Sequence, residues 1–114
     1  MNAVEARGLL IGIPKEEFLT RCFSDDIGRC CSVGHLVRLK SGDPSSYDQS
    51  LSDNYNNEVF KFVREDVWDF IETKYGELAN LATVNNRDNI NGYTQDNPKD
   101  RVIALLDDMI NEEK

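Results

Sequence analysis

Hydrophobic positions along this chain recur mainly at steps of three and four residues, the spacing of side chains that share one face of an α-helix. The pattern is strong from Glu58 to Tyr75, and it is clearest in the last segment, where Asn97 is suited to cap a helix and Pro98 to occupy its first position. The two stripes contain Phe60, Val63, Val67, Phe70 and Ile71, then Val102, Leu105, Leu106, Met109 and Ile110. No segment alternates with a period of two, so an all-α fold is predicted.

Shorter segments complete the predicted architecture. A helix is expected to start at Pro14 and to bury Phe18, Leu19, Cys22 and Phe23; further helices are expected over 27–40 and 77–84. In 1–12, Val4, Leu9 and Leu10 have helical spacing, although Gly8 and Gly12 weaken that prediction. Residues 41–57 and 85–97 are rich in Ser, Asp and Asn and are predicted to be long polar loops. We therefore expect one small helical bundle of about five helices over 1–114.

Composition and charge narrow the possible partners. The chain has 114 residues and 39% hydrophobic residues, which fits a single folded domain. Its 13 basic and 21 acidic side chains give a net charge of -8, so phosphate backbones and anionic membranes would be repelled. No direct nucleic-acid or membrane binding is expected. The lack of a long apolar run and the odd number of cysteines, two of them adjacent, favour a cytoplasmic protein with reduced thiols.

Cys31 and His35 are the strongest candidates for catalysis. They stand four residues apart, so on a helix the imidazole could deprotonate the thiol, and Asn85 could orient the ring. A thiol-dependent hydrolase or transferase is therefore one hypothesis. A packed helix is the favoured interpretation, because catalytic Cys and His usually come from separate elements and cysteine is commonly buried.

The sequence gives little support for a zinc site, a calcium site or a paired-acid active site. The spacing of Cys22, Cys30, Cys31 and His35 does not match structural zinc sites, and a calcium register over 87–98 places Arg87 and Pro98 where carboxylates are required. We expect neither a metal nor a cofactor. Paired acids such as Glu65-Asp66 and Glu112-Glu113 are interpreted as solvated helix faces.

A small-ligand pocket lined by Trp68, Phe70 and Tyr75 is a third hypothesis, although aromatics at helical spacing are more typical of a core.

Three motifs resemble the DUF6197-type family of small bacterial and mobile-element proteins. They are GRCCSVGHL at 28–36, LATVNN at 81–86 and PKDRVIALLDDMI at 98–110. Val84 stands where that family has Trp, Asn86 where it has Asp, and His35 where it has Ala. The resemblance implies a common fold and carries no established activity.

Size, negative charge and the long polar loop favour a cytoplasmic protein-interaction module. We expect an inhibitor, an immunity protein or an accessory protein of a phage or mobile element that acts on a basic protein partner. Binding residues concentrate on loops held by a rigid scaffold, so the expected contact residues are Asp43, Tyr47, Asp48, Asp53 and Tyr55.

Overall fold

The structure is a computed structural model that describes residues 1–18, 32–41, 58–59, 61–77, 79–86 and 92–112. Within these ranges there are five α-helices and no β-strand, which confirms the all-α prediction. The helices are α1 (Ala3–Ile11), α2 (Ser32–Ser41), α3 (Val67–Tyr75), α4 (Leu81–Asn86) and α5 (Pro98–Glu112). A 3₁₀ turn spans Lys15–Glu17, and a π-helix spans Phe62–Asp66 and runs directly into α3.

The last helix, α5, is the centre of the bundle and confirms its prediction closely. Asn97 caps it, since the side-chain Oδ1 accepts the backbone N–H of Asp100 at 2.9 Å. It packs against α1, α2, α4 and the 3₁₀ turn. The buried stripe consists of Val102, Leu105, Leu106 and Met109, with Ile110 half-buried beside it.

The first helix is more regular than its glycines suggested, and it buries only part of the predicted stripe. Asn2 Oδ1 accepts the N–H of Glu5 at 2.9 Å, which caps the helix. Ala3, Ala6 and Leu10 are buried, whereas Val4 is 58% exposed. The expectation that Val4 belongs to the apolar face was wrong: α1 turns its two alanines inward.

The helix predicted over 58–75 is confirmed in its described residues, 58–59 and 61–75, and it contains a π-helix. Because a π-helix closes its hydrogen bonds over five residues instead of four, it shifts the buried face along the chain. Phe62 is consequently in the core, together with Val63, Val67 and Ile71. Predicted core residue Phe60 lies outside the described residues. Gly76 ends α3 in the left-handed conformation with φ of 70°, and its N–H bonds to the Glu72 carbonyl.

Three predicted boundaries change. The helix expected from Pro14 is a single 3₁₀ turn, because Phe18 is extended and buried immediately after it. The helix expected at Glu77 begins at Leu81 instead, because the Asn80 side chain accepts the N–H of Thr83 at 3.0 Å and caps it there. Asn85 and Asn86 belong to this helix rather than to the predicted loop. Residues 19–31 and 42–57, with the predicted stripe residues Leu19, Cys22 and Phe23, lie outside the described residues.

Candidate functional site

His35 lies in the interior between α2 and the 3₁₀ turn. Its side chain is 0% exposed, its ring centroid is 4.8 Å from that of Phe18, and Nε2 is 2.8 Å from the carbonyl oxygen of Glu17. Because a carbonyl oxygen only accepts, Nε2 must carry the proton and donate it. This holds the 3₁₀ turn against α2. Cys31 lies outside the described residues, so the Cys31–His35 pair stays a prediction.

Asn85 ties two helices together. Its buried Oδ1 accepts the backbone N–H of Ser32 at 3.0 Å, and its Nδ2 donates to Asn86 Oδ1 at 3.0 Å. The first N–H groups of a helix have no partner within the helix. An asparagine from the end of α4 therefore caps the start of α2.

Arg101 is a buried cation that the sequence analysis did not single out. It is 4% exposed and donates to three carbonyl oxygens, those of Val84 at 3.1 Å, Asn85 at 2.6 Å and Gln95 at 2.7 Å. Carbonyls at the end of a helix lack intrahelical donors, and a cation there complements the helix dipole. Its signal in the sequence is a position four residues before Leu105, on the apolar stripe of α5.

A cleft of about 330 Å³ opens between the start of α1, the π-helix, α3 and the end of α5. Its apolar floor includes buried Ala3, Phe62 and Met109 and half-buried Phe70. Its polar residues are Asn2 and the carboxylates of Asp66, Asp69 and Glu112. The cleft thus combines an apolar floor with an anionic rim, and a π-helix, an element often found at functional sites, forms one wall.

The carboxylates of the rim differ in whether a cation neutralises their charge. Lys74 Nζ lies 3.4 Å from Glu112 Oε1 and 3.6 Å from Asp108 Oδ2, and 5.5 Å from the centroid of the Phe70 ring. The Lys74 ammonium therefore lies near two lining residues of the cleft, the Glu112 carboxylate and the Phe70 ring, although Lys74 itself does not line it. Within the described part of the chain, neither Asp66 nor Asp69 takes part in an ion pair.

Backbone dipoles do not reverse the charge of the cleft. The start of α1 contributes partial positive charge and the end of α5 partial negative charge, each of about half an elementary charge, and the two oppose one another. The ammonium group of Met1, beside Asn2, is paired with Glu58 at 2.8 Å. The side chains therefore set the local potential, which is negative.

The structure places only one of the three predicted pocket aromatics in this cleft. Phe70 lines it. Trp68 Nε1 instead donates to Glu72 at 2.9 Å, and Tyr75 packs edge-on against Tyr93 with a centroid distance of 5.7 Å. The five predicted contact residues of the 41–57 loop, Asp43, Tyr47, Asp48, Asp53 and Tyr55, lie outside the described residues.

Sequence reasoning missed the acidic part of the cleft. The available signal was the order Phe62, Asp66, Phe70, which places a carboxylate between two aromatics at four-residue steps. We interpreted this acid as part of a solvated face. Glu112 gives no such signal, because only the antiparallel packing of the bundle brings it to the same cleft.

The described ranges contain neither a candidate metal site nor a candidate membrane-spanning helix. No three His, Cys, Asp or Glu side chains there are grouped so that they could hold a metal ion. No helix in those ranges is both long and apolar enough to cross a bilayer. The three cysteines lie outside the described residues.

No family model matches this chain, and no curated protein or solved structure is significantly similar to it. The resemblance to the DUF6197-type family therefore stays a prediction from three short motifs. The fold and the cleft together define a small acidic all-α protein with an anionic, aromatic-floored cleft.

Proposed function

We propose that this protein is a protein-interaction module that binds a basic protein partner, and that the cleft is its docking point. The observation that carries the proposal is the pair Asp66 and Asp69, two carboxylates without an ion pair in the described part of the chain, beside an apolar floor. Carboxylates held beside the half-buried Phe70 ring favour a ligand that is cationic and can also contact an aromatic ring. A basic segment of a protein has both properties.

Affinity and speed of association would come from different parts of the cleft. Desolvating the half-buried Phe70 ring gives affinity, since binding energy concentrates in central pockets that exclude water. The rim carboxylates and the net charge of -8 attract a basic partner over distance and raise the association rate. Screening by salt should weaken this attraction.

The finer role that we propose is that of an inhibitor, an immunity protein or an accessory protein of a phage or mobile element. Proteins that act on nucleic acids carry basic surfaces, and an acidic module suits such a surface by charge. A small single domain with a preformed cleft fits stoichiometric binding. The thiol-dependent enzyme remains the alternative hypothesis, and it depends on Cys31.

The docking point is tested by first capturing the partner and then measuring how fast it associates with the protein. A partner recovered reproducibly from the source cell would be titrated against the wild type and the Asp66→Asn/Asp69→Asn variant. We expect slower association and a flatter salt dependence for the variant, because two steering charges are lost. The matched control is Glu16→Gln/Asp96→Asn, which removes two exposed charges away from the cleft. An unchanged association rate in the cleft variant, or an equal loss in the control, contradicts the proposal.

The same kinetics separate the cleft from the predicted loop site. Asp43→Asn/Asp48→Asn/Asp53→Asn removes the carboxylates of 41–57. If this triple variant slows association and the cleft variant does not, the partner docks on the loop and the cleft is not the docking point.

A further inference from the structure

We infer that the π-helix at Phe62–Asp66 is a register switch. The segment 58–66 has a second register, an uninterrupted α-helix, in which Phe62 leaves the core face and Phe60 lies on it. This is a conformational device built into the fold, and it does not depend on the proposed function.

In the observed register, burial follows the π-helix. The backbone N–H of Val67 bonds to the carbonyl oxygen of Phe62, five residues earlier, and both side chains are buried. Val59, three residues before Phe62, is also buried. On an α-helix, residues five apart point about 140° away from each other. Phe62 and Val67 therefore share the core only because the π-helix separates them.

The apolar pattern of the sequence fits the uninterrupted α-helix equally well. Phe60, Val63 and Val67 recur at steps of three and four residues, which is one face of an α-helix. Removing the π-helix turns the preceding residues by the angle of one residue, about 100°, and moves them by about 1.5 Å along the axis. One phenylalanine is then exchanged for another on the core face. The buried apolar area, which dominates the stability of either register, hardly changes.

Two smaller contributions oppose each other and keep the registers close in free energy. The α-helical register replaces a rare π-helix by regular hydrogen bonds. The observed register keeps an ion pair, in which the Met1 ammonium lies 2.8 Å from Oε1 of the 44% exposed Glu58. The rotation carries Glu58 away from this ammonium. Packed cores change between discrete arrangements, so the exchange is a two-state process.

The register also determines the shape of the cleft. Phe62 and Asp66, at the two ends of the π-helix, both line the cleft. In the α-helical register Phe62 turns away, whereas Asp66 stays in place because it adjoins α3. Any molecule that contacts this wall in one register only will shift the population toward that register.

Relaxation-dispersion NMR of the ¹⁵N-labelled protein tests the switch. We expect the backbone amides of 61–66 to exchange on the microsecond-to-millisecond timescale of helix register shifts, with a minor state of about 1–10%. Glu58→Gln should raise the minor population by up to about fivefold, because an exposed ion pair that holds the observed register is lost. The matched control is Glu16→Gln, which removes an exposed charge from the 3₁₀ turn and should leave the population unchanged.

Two further variants each remove one of the registers. Deletion of Glu65, an exposed residue of the π-helix, removes the extra residue while both flanks keep their observed faces, so the exchange should disappear. Phe60→Ser should lower the minor population, because the α-helical register then buries a hydroxyl group in place of a ring. Circular dichroism of each variant establishes that it is folded.

Several results would overturn the inference. One is the absence of exchange at 61–66 in the wild type; another is exchange that persists after deletion of Glu65, because it then does not arise from the π-helix. An unfolded deletion variant would show that the flanks do not fit an α-helix. A minor population that rises in Phe60→Ser, or an unfolded Phe60→Ser variant, would show that Phe60 supports the observed register. An unchanged population in Glu58→Gln would contradict the role of the ion pair in holding that register.

Discussion

At the scale of single residues, three of the buried polar side chains, His35, Asn85 and Arg101, join the ends of helical segments. Arg101 is buried on the apolar stripe of α5, yet each of its three hydrogen bonds goes to a carbonyl oxygen. Two of these oxygens belong to the last residues of α4, and the third belongs to Gln95. A cation in this position satisfies acceptors that burial would otherwise leave without donors.

Arg101→Met should destabilise the protein by about 1.5–3 kcal/mol or more, because buried carbonyls lose charged donors. Urea unfolding measures this free energy. The matched control is Lys99→Met on the same helix, since Lys99 Nζ also donates to a carbonyl, that of Ile11 at 2.8 Å, but at an exposed position. Equal effects in the two variants would show that burial of Arg101 adds nothing.

Leu106→Ala should cost about 2–5 kcal/mol, because Leu106 is 0% exposed and its removal leaves a cavity at the centre of the bundle. Val4→Ala is the control, since Val4 is 58% exposed and its loss should change the free energy of unfolding by less than about 0.5 kcal/mol. A small effect at Leu106 would contradict the placement of α5 in the core.

Because of Tyr93, we expect the free energy of unfolding to depend on pH in the alkaline range. Burial raises the pKa of its phenol well above the ordinary 10.0, and hydrogen bonds with Tyr75 and Asp108 act in the same direction. The unfolded chain then loses a proton above pH 10 that the folded protein keeps. Stability is complete below this pH and falls as the pH rises above it, by up to about 1.4 kcal/mol for each pH unit.

Urea unfolding at several pH values above 10 checks this dependence. Tyr93→Phe should lose this part of the slope, whereas Tyr75→Phe should keep most of it, because burial of Tyr93 is the main cause. An identical slope in the wild type and in Tyr93→Phe would show that Tyr93 ionises normally.

At the scale of elements, short helices are stable here because their ends are capped from elsewhere in the fold. An isolated helix the length of α4 or α2 is marginal in water. Asn85 at the end of α4 caps α2, and Arg101 from α5 binds the carbonyls at the end of α4. The three helices therefore stabilise one another through their termini as well as through their apolar faces.

Asn85→Ala should cost about 0.5–2 kcal/mol, because the first turn of α2 loses its acceptor. Asn85→Asp keeps an oxygen opposite the Ser32 N–H and should cost less. Hydrogen exchange at the Ser32 amide adds a local readout, which should accelerate in the alanine variant. Asn111→Ala, at an exposed position of α5, is the control, and a matching acceleration there would contradict the capping role.

At the scale of the whole molecule, negative charge is left where it does not help folding. Asp66, Asp69 and Glu112 line the same cleft. Of these three carboxylates, only that of Glu112 has an ion pair within the described part of the chain. Like charges on neighbouring turns of a helix repel. Under the proposed docking role, this is a surface in which stability is reduced for function.

Asp66→Asn/Asp69→Asn should therefore leave the free energy of unfolding unchanged or raise it by about 0.2–0.5 kcal/mol, because a repulsion is removed. Urea unfolding at low ionic strength measures the difference, which added salt should reduce. A clear loss of stability would mean that the two carboxylates support the fold rather than a partner.

The sequence by itself determined the helical class and the position of the strongest helices. Their apolar stripes recur at the helical period, and Asn97-Pro98 and Gly76 are local signals that need no tertiary contact. It also determined the negative charge. These properties depend on residues close together in the chain or on composition alone, which is why they could be predicted.

Only the tertiary structure decided which faces became the core and where a cleft formed. The inward turn of Ala3 and Ala6, the π-helix that buries Phe62 and the burial of Arg101 all depend on what packs opposite. The cleft joins Asn2, Asp66 and Glu112, which are far apart in sequence. Periodicity reports which side chains share a face of one helix, whereas a site between helices depends on how those faces meet.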